Sequence, residues 1–274
     1  MPKGLLLLFV LLCVISILMG VQQMTWTSEY FGSEAFWLTL TASRLPRLVA
    51  LILTGIGLAV CGVILQHIVR NKFVEAGTSG GLDAAKLGIL VALTTLPSLG
   101  TSARMLFAML FCFLASLLYV AMIQRIQFKN TVLVPVIGLM YGSVLSAIAE
   151  FYAYQHNILQ SMQGWLMGDF SKVVQGHYEI IYFILPIVVL AYLFAQRFTV
   201  LGMGKEIAGS LGLSYGTTVA IGLILVSVTV AVIVITVGQF PLLVWLYRIW
   251  LPCVMAKIYN KPCRLLLLVG QVFY

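Results

Sequence analysis

Seven stretches of the chain are apolar over lengths approaching or reaching the roughly 20 residues that cross a bilayer as a helix. They are Gly4–Gly20, Leu48–Val69, Leu82–Leu96, Met105–Ile123, Val132–Tyr154, Ile180–Ala195 and Thr217–Thr236. The third and sixth are short and are expected to borrow flanking residues. The connections between them are brief, and no heptads, low-complexity stretches or soluble linkers interrupt the pattern. The expectation is one all-α polytopic membrane domain. The first run also has the outline of a signal peptide, with Lys3 before an apolar stretch. However, no small-x-small cleavage site follows it, only Leu18-Met19-Gly20-Val21-Gln22, so it is expected to stay as the first span.

Composition points the same way. Of 274 residues, 62% are hydrophobic and 9% charged, and the mean hydropathy is +1.08. A soluble domain carries about 25% charged residues. Too few polar side chains are present to coat a water-soluble body, which excludes a soluble enzyme, a nucleic-acid-binding domain and a disordered chain.

The net charge of +8 comes from 16 basic and 8 acidic residues. Most of the basic ones sit at the ends of apolar runs, where a membrane protein uses them for anchoring and orientation. With the N-terminus inside, Lys3, Arg70, Lys72, Arg125, Lys129, Arg197 and Lys205 fall on the inner side, and Arg44, Arg47, Arg104 and Lys172 on the outer. The positive-inside rule favours that topology. Cys13, Cys61, Cys112, Cys253 and Cys263 show no metal-binding spacing and are expected to be small core residues. No cofactor or metal site is expected.

Several short patterns carry candidate chemistry. Ser43-Arg44-Leu45-Pro46-Arg47 opens the second span, with proline suited to a first helical turn. Arg44 and Arg47 share a helix face; they could snorkel at the interface or pair with carboxylates of an external partner. Gly55, Ala59 and Gly62 make a small-residue ridge suited to close helix packing. The polar, glycine-rich run from Gln66 to Gly81 follows a span, a position tolerated when it is buried in protein or lines a cavity. His67 within it is expected to pack or cap. Gly77-Thr78-Ser79-Gly80-Gly81 matches a nucleophile elbow, but no histidine is placed to serve it, as an intramembrane protease would require. Gly202-Met203-Gly204-Lys205-Glu206 superficially matches a phosphate loop, yet Thr199 replaces the first glycine and Glu206 the hydroxyl residue. Lys205, Glu206, Ile207, Ala208, Ser210, Leu211 and Gly212 instead fit a short cytoplasmic helix. Ile207 and Leu211 form its apolar stripe and Gly212 its stop. Such a stripe suits a groove on a partner.

Taken in order, these pieces resemble the FecCD-type permease family, the membrane subunits of ABC importers for iron–siderophore, haem and cobalamin. The matching pieces include Arg44–Arg47, Gly55–Gln66, Arg70-Asn71, the glycine segment through Gly88, Trp165-Leu166-Met167-Gly168, Gly204–Gly212, and Thr236 through Pro241. The resemblance covers residues 1–241. It implies about seven transmembrane helices of a normally ten-helix fold, in the cytoplasmic membrane of a bacterium. It also implies that Arg44 and Arg47 meet a periplasmic or lipoprotein siderophore-binding protein. By the same resemblance, Lys205–Leu213 couples to a cytoplasmic ATPase subunit, which would hydrolyse the ATP, and substrate passes between two permease subunits, identical or different. Asp83 through Gly88 is closer to siderophore permeases than to cobalamin ones. The rival from a different class is a stand-alone secondary transporter or channel, which would need ionisable residues near the bilayer centre; only Glu150 and Lys86 are candidates.

The resemblance stops after Pro241, where the family continues with another apolar run and three further spans. Residues 242–274 hold four basic and no acidic residues, with two of the five tryptophans and two of the five cysteines. With permitted codons, a two-base shift through Val244–Lys261 reads LVIPNLVALCYGENLQQ, close to the family's continuation. An out-of-frame tail is expected.

Overall fold

The computed structural model describes residues 40–96, 100–126, 133–166 and 179–239, apart from Pro97 and a few side chains; residues 11, 13–17, 37–38, 98, 168, 170 and 173 are described as well. The segment after Gln239, including the expected out-of-frame tail, lies outside the described residues, as does most of the first apolar run.

The described chain is helical. A π-type turn, Leu40–Arg44, leads into α1 (Leu45–Val69), with Pro46 in its first turn. Then follow α2 (Gly81–Thr95), α3 (Gly100–Ile126), α4 (Leu133–Gln155) and the short α5 (Leu159–Leu166). After a 3-10 turn, Glu179–Phe183, come α6 (Ile184–Leu193), α7 (Ala195–Gly202), α8 (Lys205–Ser210) and α9 (Tyr215–Thr236). Four of these helices are long and apolar enough to cross a membrane, and a fifth crossing forms if the bent pair that includes α6 and α7 is one span.

Two expectations change in detail. The sixth run is not a straight helix: it bends by 58° at Phe194, where the Arg197 guanidinium lies 4.9 Å from the Phe194 ring centre. The third run does not borrow residues to reach a full span. At 15 residues, α2 is about 22 Å long, short of a hydrocarbon core of about 30 Å. The irregular chain before it packs inside the protein. Asn71, Val74, Glu75, Ala76, Thr78, Ser79 and Gly80 are all buried.

Backbone buried in this way must find its hydrogen bonds within the protein, and several are in place. Asn71 N–H donates to the Gln66 carbonyl, Gln66 Nε2 to the Val74 carbonyl, and Phe73 N–H to Asn71 Oδ1. Glu75 N–H donates to Thr78 Oγ1 and Ser79 N–H to the Glu75 carbonyl.

The core lies where α9 crosses α1, α3 and the end of the bent pair. Of the most apolar stretch of α9, 67% is buried, against 22% for α4, so α9 is central and α4 peripheral in one chain. Hydroxyls survive inside α9 by donating to their own helix: Ser227 to the Leu223 carbonyl and Thr229 to that of Leu225. Glycines set the closest approaches. A Cβ on Gly57 would come within 2.9 Å of the Thr229 methyl, and one on Gly222 within 2.9 Å of Ile68 Cδ1. Without water to drive association, such tight van der Waals contact is what holds membrane helices together.

Candidate functional site

The site residues expected from the sequence gather at the two ends of α1, which is about 37 Å long. At the N-terminal end stand Arg44 and Arg47. Arg44 is 7% exposed, and its Nη1 donates to the Ile17 carbonyl at 2.6 Å, tying the described part of the first run to the second. Arg47 is half-buried.

At the other end, the chain leaves α1 through Arg70, in the left-handed conformation at φ 57°. Its guanidinium lies against Gly204, where a Cβ would sit 3.3 Å from Nη1. Gly204, at φ +117°, starts α8. His67 packs over Gly202, as expected of a packing histidine. Gln124 Nε2 donates to the Tyr215 hydroxyl at 3.2 Å and brings α3 to the same end.

The short helix forms as the pattern predicts, over Lys205–Ser210. Gly212, at φ +76°, closes it: Leu213 N–H donates to the Ala208 carbonyl and Gly212 N–H to that of Gly209. That pair of bonds is a Schellman stop, which needs the left-handed conformation that glycine adopts without strain. Ala208 is buried against the bundle. Ile207 and Leu211 are 49% and 64% exposed and point away from it, with Lys205, Glu206, Ser210 and Gly212 exposed around them. Among the described residues nothing covers these two large apolar side chains, Ile207 on the six-residue helix and Leu211 at its C-terminal cap.

The packing ridge is distributed differently from the sequence pattern. Gly62 is buried and Ala59 half-buried, but Gly55 is exposed, and a Cβ there would meet nothing within 4 Å. Within one chain the close approach on α1 runs over Gly57 instead. Ser79 is fully buried, and its Oγ donates to the Ala76 carbonyl at 3.0 Å, a local turn bond that gives no support to a nucleophile.

Three features were not singled out from the sequence. Gly138 and Gly142, four apart on α4, receive the buried loop before α2: the Thr78 carbonyl fills the place of a Cβ on Gly138, and Asp83 Oδ2 lies 3.0 Å from one on Gly142. Gln239 Nε2 donates to the Leu82 carbonyl at 2.8 Å, while Gln239 N–H donates to that of Leu166. Lys86 pairs across helices with Glu150. The glycine spacing was visible in the sequence, but the two long-range ties had no local signal.

Comparison with known proteins agrees with this geometry. The profile of the FecCD transport family matches residues 5–246. The ferric-anguibactin transport system permease protein FatD of Vibrio anguillarum is 66% identical over 238 residues, covering 87% of this chain and 76% of that protein. The petrobactin import system permease protein YclN of Bacillus subtilis is 41% identical over 241 residues, covering 88% and 76%. The vitamin B12 import permease BtuC of Yersinia enterocolitica is 27% identical over 248 residues, covering 86% and 72%. The fold is similar to a solved metal-chelate type ABC transporter in an inward-facing conformation, with a TM-score of 0.70 and 22% identity over 98% of this chain and 87% of that one. On the extent of the family match and the identity to FatD, this multi-pass membrane chain belongs to the FecCD transport family.

Proposed function

We propose that the chain is the membrane permease subunit of an ABC importer that takes up iron–siderophore complexes across a bacterial inner membrane, with its N-terminus in the cytoplasm. The substrate class rests on the 66% identity to a ferric-anguibactin permease and the 41% identity to a petrobactin permease, against 27% to a vitamin B12 permease. The assembly rests on one structural observation: Ile207 and Leu211 stand exposed on a helix at the opposite end of α1 from Arg47. An apolar stripe that no part of the described chain covers suits a groove on an ATPase subunit, and an arginine at the far end suits carboxylates of a siderophore-binding protein. A second permease subunit, alike or different, completes the path. The chain itself hydrolyses nothing; ATP is split by the partner. Residues 242–274 are out of frame, a reading supported by their basic, acid-free composition and by a family match that ends at residue 246.

Radioiron uptake tests the function. Cells lacking the gene and complemented with it, read in the corrected frame after Pro241, should accumulate the ferric siderophore only while ATP is available. Uptake driven by an ion gradient without ATP would overturn the proposal in favour of a secondary transporter.

A further inference from the structure

Gly202-Met203-Gly204 has the outline of a phosphate loop without its chemistry, and its two glycines have another use. His67 and Arg70, three residues apart at the end of α1, lie over them. A Cβ on Gly202 would stand 3.0 Å from His67 Nδ1. One on Gly204 would stand 3.3, 3.5 and 3.7 Å from Arg70 Nη1, Cζ and Nη2. Such similar distances mean that the guanidinium turns its face, not its edge, to the glycine. A flat cation rests there on bare backbone, where a larger residue would hold it off. Gly204 is buried, although the outer side of the helix it opens is exposed.

The arginine holds an unfavourable backbone to make this contact. Among the described residues two non-glycines take a left-handed conformation, Arg70 and Asn157. Asparagine tolerates it, whereas a long side chain such as arginine rarely adopts it. Glycine is the usual residue just past a helix that ends this way. Strain of this kind persists where the surrounding structure has a use for it. On its other side Arg70 continues from α1, which runs unbroken from Leu45 to Val69 and carries Arg47 in its first turn.

We infer that Arg70 is a positioning residue that fixes α8 to α1 through the Gly202–Gly204 junction. The helix that carries Arg47 and the helix that presents Ile207 then hold one relative orientation. His67 seats the first glycine and Arg70 the second, so the start of α8 is gripped at two points one turn apart on α1. This inference rests on the permease reading and names the link inside it.

The test is a spin-label distance in the full chain, read in the corrected frame after Pro241, in detergent. The labels go on Gly55→Cys in α1 and Gly209→Cys in α8, both exposed positions where a Cβ meets nothing within 4 Å. Native cysteines other than the buried Cys61 and Cys112 are changed to serine. Arg70→Gly is the variant, because glycine keeps the left-handed turn and removes only the side chain. With Arg70 in place the distance should be single and narrow; Arg70→Gly should widen it without lowering the melting temperature. Ile207 and Leu211 are untouched, yet association with the ATPase subunit should weaken at least about fivefold, since the docking-competent orientation becomes a fraction of the population. An equally narrow distance in Arg70→Gly would overturn the inference, and so would a wider one with undiminished ATPase association. A melting temperature that falls along with the widening would make Arg70 a general support and overturn the positioning role. The spin-label distance needs no ATPase. A chain with Arg70 in place that binds no ATPase would therefore overturn the importer reading, a failure distinct from that of the Arg70 link.

Discussion

The carbonyl oxygen of Thr78 occupies the space in which a Cβ on Gly138 would stand. A buried irregular loop and a helix from 60 residues further along the sequence are thereby locked together, backbone against backbone. The contact explains why an irregular segment can sit inside the bundle: its polar groups are satisfied internally, and the helix beside it has no side chain to push it out.

Gly138→Ala should therefore be among the most damaging small substitutions in the chain. Overpacking of this kind costs about 1–3 kcal/mol, and more where backbone must move. Gly142→Ala, 3.0 Å from Asp83 Oδ2, should be milder. Gly216→Ala, with nothing within 4 Å of its Cβ, should be neutral or slightly stabilising. Thermal unfolding of the purified chain in detergent orders the three.

At the α8 end, Ile207→Asp and Leu211→Asp should each weaken association with the ATPase subunit by at least about tenfold, since a groove contact would then bury an unpaired charge. Both side chains are exposed, so the chain itself should insert and fold as before. Co-sedimentation with the ATPase measures this. Unchanged association by both variants would remove the coupling role from α8.

At the other end, Arg44→Glu and Arg47→Glu should act differently. Arg47→Glu should slow docking of the binding protein and reduce its salt dependence, since it places a like charge opposite the partner's carboxylates. Arg44 is tied to the Ile17 carbonyl, so Arg44→Glu should also disturb the first span. Surface-binding measurements on the double variant give docking, and protease accessibility gives insertion. Normal docking by the double variant would return both arginines to interfacial anchoring.

Much of this architecture was legible in the sequence because membrane helices announce themselves by length and apolarity. The run Leu48–Val69 corresponds to α1 at Leu45–Val69, and Thr217–Thr236 to α9 at Tyr215–Thr236. The stop at Gly212 was legible too, since a left-handed C-terminal residue leaves a glycine in the pattern. Harder to see were the faces. Gly55 and Gly57 look alike in sequence, and the positions of Thr229 and Ile184 decide which one is crowded. The pairing of Lys86 with Glu150 and the bond from Gln239 to Leu82 depend on helices brought together from distant sequence. The short helix Leu159–Leu166 was not anticipated: Leu159, Met162 and Leu166 stand at helical spacing, but eight residues make little more than two turns, too short a stretch to read as an element.

For residues 242–274, resequencing the codons from Pro241 to Trp245 should reveal a one- or two-base error or lesion. The shifted frame should then continue into further apolar spans. A shifted frame that runs at once into a stop codon would make the tail native protein.

The most direct measurement of the central claim is a pull-down of the affinity-tagged chain, read in the corrected frame after Pro241, from bacterial membranes in mild detergent. The account predicts that an ATP-binding subunit comes down with it, and that Leu211→Asp releases that subunit. A chain that purifies without any ATPase, and that moves solute on an ion gradient alone, would contradict it.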